Sequence, residues 1–346
     1  MSRALVISGG GCKGAFAVGV LKRLFAEYPA LDFDILVGTS TGSLMSPLVA
    51  LGEMQILEDL YTTQKTENIV LTGRLGDRLG ETSIFDASPL WDLIQKNYPD
   101  KRYNDLLATG KKIFLTSTCL QSGESVVFTT DPNPAAPAHY EVRVLINADH
   151  FRKAVMASAC QPVFMQPIKV NKNVPGELHP DFQFVDGGVR EYAGIQMAID
   201  NGATEIFTIL LSSDVKAIED KEFKDLFSIL ETTIDIFTDD VGKNDLIIPG
   251  QYNEALQYID AVKRKMKQDG ITNDKVNEYF TIRGLESPYE GKIPLKLFTF
   301  RPKAPLGGGP GGLSFDPVAM QEMINKGNSI AGDFIAALNP ADVTWA

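Results

Sequence analysis

The chain has 346 residues, of which 44% are hydrophobic and 22% charged, so it can bury a large core and is not disordered. Its formal net charge of -11 weighs against a nucleic-acid partner and against simple electrostatic adsorption to an anionic bilayer. Three cysteines without a C-x-x-C pair, no signal peptide and no apolar run long enough for a transmembrane helix predict a reducing, cytoplasmic location.

A glycine-rich motif follows the first predicted strand. The apolar run at 4–7 predicts a buried strand, and the apolar spacing at 15–28 predicts a helix. Between them, Gly9, Gly11 and Gly14 match G-x-G-x-x-G. The motif is a dinucleotide-binding turn, an oxyanion hole formed by successive backbone N–H groups, or only a tight turn into a helix.

The dinucleotide interpretation requires an acidic residue at the end of the second strand, about 20 residues further on. Asp32 and Asp34 occur at about that distance, but they precede the second predicted strand instead of ending it. That strand ends in a serine turn, so the sequence favours Gly9, Gly10 and Gly11 as an oxyanion hole.

The serine turn is the segment GTSTG at residues 38–42, which fits the nucleophile elbow G-x-S-x-G. The apolar run 35–37 predicts the strand before it. In such a turn the serine, here Ser40, is strained and exposes its hydroxyl group. Gly38 and Gly42 are small enough for the neighbouring backbone to pass closely. A lone match is a weak signal, because an idle serine in a glycine-rich turn gives the same pattern.

The remaining pattern alternates strands and helices. Further strands are predicted at 182–185, 205–211 and 294–300, with a hairpin formed by 111–120 and 125–130. Further helices are predicted at 44–52, 54–61, 88–98, 149–159 and 195–201, in most of 214–278, and from Pro317 after an Asp316 cap. The segment 305–312 is rich in glycine and is expected to be a flexible loop. We therefore predict an α/β fold with a mostly parallel central sheet, helices on both faces and a helical C-terminal region.

A carboxylate at a strand end offers a partner for Ser40. Asp186 ends a predicted strand and precedes Gly187 and Gly188, so it lies on a tight turn and can face a site, although aspartate is also common in glycine turns. The chain has three histidines, and none follows residue 179, which excludes the chain order Ser, Asp, His of α/β-hydrolases. Each of them, His139, His150 and His179, is expected to be a solvated or capping residue. The economical alternative is that Asp186 itself accepts the Ser40 proton, which requires burial to raise its pKa.

These motifs, in this order, resemble the patatin-like phospholipases. The resemblance rests on GGGCKG at 9–14, GTSTG at 38–42 and DGG at 186–188, with a fourth similarity in ASACQP at 157–162. Three ordered motifs are specific, although each alone is not. Two features depart from the family pattern: Cys12 occupies a position where apolar residues are usual, and the segment 192–194 lacks the Asn-Pro expected there.

The resemblance implies a three-layer sandwich and calcium-independent hydrolysis of lipid acyl esters, without metal or other cofactor, by a Ser40–Asp186 dyad. Gly10 and Gly11 would donate the main oxyanion N–H groups, with Gly9 supporting the turn. Lys13 would support this loop or meet a lipid phosphate, unless it is simply a solvated lysine in the first turn of a helix. The substrate would be a lipid or other acyl ester, reached through transient contact with a membrane surface.

Other functions remain open at this stage. An acyltransferase could use the same dyad, because water and an alcohol compete for one acyl-enzyme. A lipid-binding or regulatory protein could keep the fold without turnover, and a dehydrogenase could use the first glycine motif. The composition shows no sharp break, so a single domain is predicted over 1–346, with the motifs in 4–212 and a helical and C-terminal elaboration in 213–346. The oligomeric state is not predicted.

Overall fold

A computed structural model describes residues 2–72, 81–173, 181–215, 222–224, 226–289, 291–338 and 345. The strands are β1 Arg3–Ile7, β2 Ile35–Gly38, β3 Leu71–Thr72, β4 Phe85–Asp86, β5 Lys112–Cys119, β6 Ser125–Thr129, β7 Glu141–Val144, β8 Ile168–Asn171, β9 Asp181–Asp186, β10 Glu205–Ile209 and β11 Lys296–Phe300. The helices are α1 Gly14–Glu27, α2 Thr41–Ala50, α3 Met54–Thr63, α4 Ser88–Asn97, α5 Asp100–Ala108, α6 Ala148–Ala159, α7 Ile195–Asp200, α8 Leu226–Gln268, α9 Asn273–Phe280 and α10 Pro317–Ala337.

The central sheet is parallel over five strands, in the order β11-β10-β1-β2-β5. Beyond β5 the sheet continues with β6, which is antiparallel to β5, and with β7. The chain order of β1, β2 and β5 requires crossover connections, which the intervening helices supply. The predicted α/β fold with a mostly parallel sheet is therefore confirmed.

One edge of β5 carries two strands in succession. Residues 112–115 of β5 pair with β2, and residues 117–119 pair with β9, which runs antiparallel and in turn pairs with β8. Strand β6 pairs with residues 114–118 on the opposite edge of β5. Strand β9 therefore lies on the same edge of β5 as β2, and its pairing begins just beyond the end of β2. This arrangement brings the C-terminal end of β9 to the C-terminal end of β2.

The sheet is covered on both faces. Successive residues of β1 alternate between two hydrophobic clusters, because strand side chains point to opposite faces. Leu5 and Ile7 join the cluster formed with α1, α2, α6 and α10, whereas Ala4 and Val6 join the cluster formed with α7 and part of α8. Both clusters are almost inaccessible to solvent, so the central strands read as continuous apolar runs.

Several elements differ from the expectation. Strands β7 and β8 and helix α5 were not predicted, because all three are short and polar on at least one side. The 43-residue helix α8 and the shorter α9 form the helical C-terminal region. Among the described helices, none has both the length and the apolar character needed to cross a bilayer.

Candidate active site

Ser40 lies on a strained turn between β2 and α2. Its backbone has φ 56° and ψ −121°, a conformation that costs a non-glycine residue about 1–3 kcal/mol. The turn is tight enough that a Cβ atom added to Gly38 would lie 2.4 Å from the Gly42 carbonyl oxygen. A Cβ atom on Gly42 would lie 2.1 Å from the Ile7 carbonyl oxygen. Larger residues at either position would therefore push the elbow away from the sheet.

The first glycine loop, residues 9–14, connects β1 to α1 beside this turn. A Cβ atom added to Gly9 would lie 3.1 Å from the Ser40 Cβ atom. Gly10 and Gly11 have φ values of 153° and 57°, which L-amino acids with side chains rarely adopt. Among the described hydrogen bonds, none has the backbone N–H of Gly10 or Gly11 as its donor. Gly10 and Gly11 each line a cavity that Ser40 also lines.

Asp186 reaches Ser40 through the pairing of β9 with β5. The register places Asp186 opposite Ser117, shortly beyond the end of β2. The Asp186 backbone N–H donates to the Cys160 carbonyl at 2.7 Å, and its carbonyl accepts from Thr118 Oγ1 at 3.1 Å. The backbone of Asp186 is therefore held by two other segments of the chain, β5 and the residue that follows α6.

The Asp186 carboxylate is buried, with 6% of the residue exposed. Desolvation raises its pKa from 3.8 to about 6, and hydrogen bonds from the Ser40 hydroxyl and the Gly188 N–H oppose this increase. The Gly188 N–H lies 2.7 Å from Asp186 Oδ1. The effect of burial on this pKa therefore outweighs that of the hydrogen bond from the turn. A carboxyl group with this pKa is ionised at neutral pH and is a stronger base than an exposed aspartate.

The C-terminal end of α6 supports both groups. Ser158 Oγ accepts from the Ser40 backbone N–H at 3.0 Å, and Cys160 is the residue whose carbonyl holds Asp186. Both residues belong to the segment ASACQP at 157–162, which the sequence analysis identified only as a fourth similarity to the family pattern. Their contacts with Ser40 and Asp186 could not be derived from the motif alone.

Two cavities meet at Ser40. The apolar cavity is lined mainly by leucine, isoleucine and aromatic side chains, among them Leu44, Leu57, Leu90, Leu93, Leu313 and Phe315. The charged cavity contains Lys13, Asp186, Asp235 and Asp239. Gln161 lines both cavities, as Ser40 does. The sequence identified Lys13, but it did not indicate the contributions of Gln161 or of the residues after 213.

The histidines lie elsewhere. His139 is exposed, and His150 is buried at the start of α6, where burial lowers its pKa. Neither lines a cavity that contains Ser40. His179 lies outside the described residues. Within those residues, no group of three or more His, Cys, Asp or Glu side chains could hold a metal ion.

Comparison with known proteins gives three findings. The family model of the patatin-like phospholipases matches residues 5–199. The cUMP-AMP-activated phospholipase of Escherichia coli is 33% identical over 109 residues, which are 30% of this chain and 31% of that protein's length. The crystal structure of VipD from Legionella pneumophila has 10% sequence identity and a TM-score of 0.39, over 96% of this chain and 67% of VipD.

The family match includes all three ordered motifs, at 9–14, 38–42 and 186–188. It also covers more than half of the chain, residues 5–199 of 346. The resemblance inferred from the motifs is confirmed, and the protein belongs to the patatin-like phospholipase family.

Proposed function

We propose that the protein hydrolyses carboxylic esters of lipids through a covalent acyl-enzyme, with Ser40 as nucleophile and Asp186 as general base. One observation carries this proposal. Ser40, on a strained backbone, and the buried Asp186 carboxylate line the same charged cavity, and an apolar cavity meets it at Ser40. The arrangement suits an acyl ester, whose hydrocarbon chain and polar end require different surroundings.

The chemistry needs only these two side chains and water. Ser40 Oγ attacks the ester carbonyl carbon while its proton passes to Asp186. The tetrahedral intermediate collapses, the alkoxide of the leaving alcohol takes the proton from Asp186, and Ser40 remains acylated. Water then attacks the acyl-enzyme, giving its proton to Asp186, and the released Ser40 recovers that proton. A pKa near 6 suits a group that accepts and returns a proton at neutral pH.

The negative charge of the intermediate would be stabilised by the first glycine loop. The backbone N–H groups of Gly10 and Gly11 donate no described hydrogen bond, both residues line cavities that contain Ser40, and Gly9 lies against Ser40. Donors of this kind act in the transition state, and loss of one costs about 10² to 10³ in turnover. The backbone N–H of Thr41 follows the nucleophile and is the position at which such elbows supply a further donor.

The two cavities suggest how a lipid is oriented. Its acyl chain would occupy the apolar cavity, where burial contributes ~0.8 kcal/mol per methylene. The polar end of the substrate would lie in the charged cavity, in which Lys13 can meet a phosphate group. Such a substrate implies transient contact with a lipid surface. The three free, buried cysteines support a cytoplasmic location for this activity.

Two alternatives keep the same fold. An acyltransferase would use the same Ser40 and Asp186 with an alcohol in place of water, and product analysis with an added acceptor alcohol distinguishes it. A non-catalytic lipid-binding protein would bind ester without turnover. Asp32 and Asp34 precede β2, which weighs against a dinucleotide site at the first glycine loop.

The test is covalent labelling with a fluorophosphonate, followed by mass mapping of the modified residue. We expect the label on Ser40, and we expect Ser40→Ala to abolish both labelling and ester cleavage. Ser46→Ala is the matched control, because Ser46 is also buried and its hydroxyl donates to the Gly42 carbonyl of the same helix, α2. Labelling at another serine, or ester cleavage by Ser40→Ala, would exclude this assignment.

A further inference from the structure

The glycine-rich segment near the C-terminus packs on the first glycine loop. We define residues 308–312 as the second glycine loop. A Cβ atom added to Gly312 would lie 2.2 Å from the Gly10 carbonyl oxygen, and one added to Gly11 would lie 2.3 Å from the Gly312 carbonyl oxygen. No side chain fits at such distances, so the two backbones touch directly. The segment 305–312 was expected to be a flexible loop, but its last residue packs against the first glycine loop.

Side chains from two other segments hold the second glycine loop in place. Gln161 Nε2 donates to the Gly311 carbonyl at 2.6 Å. Cys12 Sγ lies 3.8 Å from the Gly308 carbonyl and donates a weak hydrogen bond to it. Gly311 lines the charged cavity, and Leu313, which follows the loop, lines the apolar cavity. The loop therefore passes the junction at which Ser40 lies.

We propose that the second glycine loop is a positioning element for the oxyanion site, and that Gln161 anchors it. The inference rests on the proposed function, since it concerns the N–H groups of Gly10 and Gly11. It assigns a role to a segment outside the family match, which ends at residue 199.

The physical reason lies in the freedom of glycine peptides. Gly10 and Gly11 have no side chains whose packing could fix the direction of the intervening peptide. The Gly10 carbonyl of this peptide accepts a hydrogen bond from the Lys13 N–H at 3.1 Å, and contact with Gly312 adds a second constraint from outside the first glycine loop. Oxyanion donors act only when they are held in place before the charge forms, and a displacement of about 1 Å can cost about 100-fold in rate.

The test compares two alanine variants that bear the same backbone strain. Gly312 and Gly307 have φ values of 74° and 82°, so alanine is disfavoured at both positions. Of these two positions, Gly312 touches the first glycine loop, whereas an added Cβ atom at Gly307 would meet nothing within 4 Å. We expect Gly312→Ala to lower kcat and the fluorophosphonate labelling rate of Ser40 by about 100-fold, with KM nearly unchanged. Gly307→Ala should label like the wild-type protein.

A third variant tests the anchor without adding a side chain at a crowded site. Gln161→Met keeps the approximate size but removes the hydrogen bond to Gly311, and we expect its labelling rate to fall about fivefold. Thermal unfolding midpoints of all variants separate this effect from general loss of stability.

Equal labelling rates in Gly312→Ala and Gly307→Ala would overturn the inference. If Gly312→Ala does not fold, a wild-type labelling rate in Gln161→Met would overturn it. Absence of Ser40 labelling in the wild-type protein would instead reject the proposed function, and this inference with it.

Discussion

The protonation of Asp186 links activity to stability, and both can be measured on one variant. Burial raises the pKa of this carboxyl group from 3.8 to about 6. If Asp186 is the base, kcat/KM should fall tenfold per pH unit below about pH 6. Asp186→Asn keeps an oxygen that can accept the Gly188 N–H, yet it should lose about 10² to 10⁴ in rate, the range typical of general-base loss.

The same carboxyl group should destabilise the folded protein at neutral pH. Its pKa is higher in the folded state than in the unfolded state, so the folded state binds the proton more tightly. Stability is therefore lost as the pH rises from about 4 to about 6, and the loss is complete above that range. At 1.36 kcal/mol per pH unit, the change from 3.8 to about 6 amounts to up to about 3 kcal/mol. Asp186→Asn should recover most of this energy at pH 7.5 and almost none at pH 4.

Urea unfolding at these two pH values measures the stability effect, and a pH–rate profile on a soluble ester measures the catalytic one. Asp105→Asn, at an exposed ion pair with Lys101, is the control and should change stability by less than about 0.5 kcal/mol at either pH. An acidic limb at or below pH 4 would refute the reasoning. So would an Asp186→Asn variant that is less stable than the wild-type protein at pH 7.5.

Three further predictions follow from individual contacts. Tyr61→Phe removes the hydrogen bond between the tyrosine hydroxyl and Thr41 Oγ1 and should lower the free energy of unfolding by about 1 kcal/mol; an unchanged urea midpoint would contradict it. Gly42→Ala forces a Cβ atom to within 2.1 Å of a backbone carbonyl of β1 and should cost about 1–3 kcal/mol, whereas wild-type stability would show that the elbow yields easily. His150→Gln should retain ester turnover, because His150 lies in neither cavity at Ser40; a loss as large as that of Ser40→Ala would require a triad.

The three ordered motifs could be recognised from the sequence because each is a local solution to a steric problem. Ser40 must occupy a turn between a strand and a helix, and only small neighbours such as Gly42 allow it. The alternation of apolar runs and helical spacing likewise predicted the parallel sheet, since strands buried on both faces read as continuous apolar segments. These features depend on residues close together in the chain.

The meeting of Ser40 with Asp186 depended on tertiary structure. Their sequence positions are far apart, and the turn after Asp186 resembles many aspartate–glycine turns. The two residues come together because β5 pairs with β2 and then with β9 along one edge, a register that the sequence alone does not reveal. Burial then raises the pKa of Asp186, and burial is a property of the assembled fold.

The contact of the second glycine loop is also one that the sequence alone does not reveal. A run of glycines at 305–312 indicates backbone freedom, and an isolated chain would remain mobile there. In the folded protein the same absence of side chains permits two backbones to touch, so that Gly312 contacts Gly10 and Gly11 about 300 residues earlier. The glycines in the sequence made this close approach sterically possible. Only the long-range packing of the fold determined that the segment in contact would be the first glycine loop.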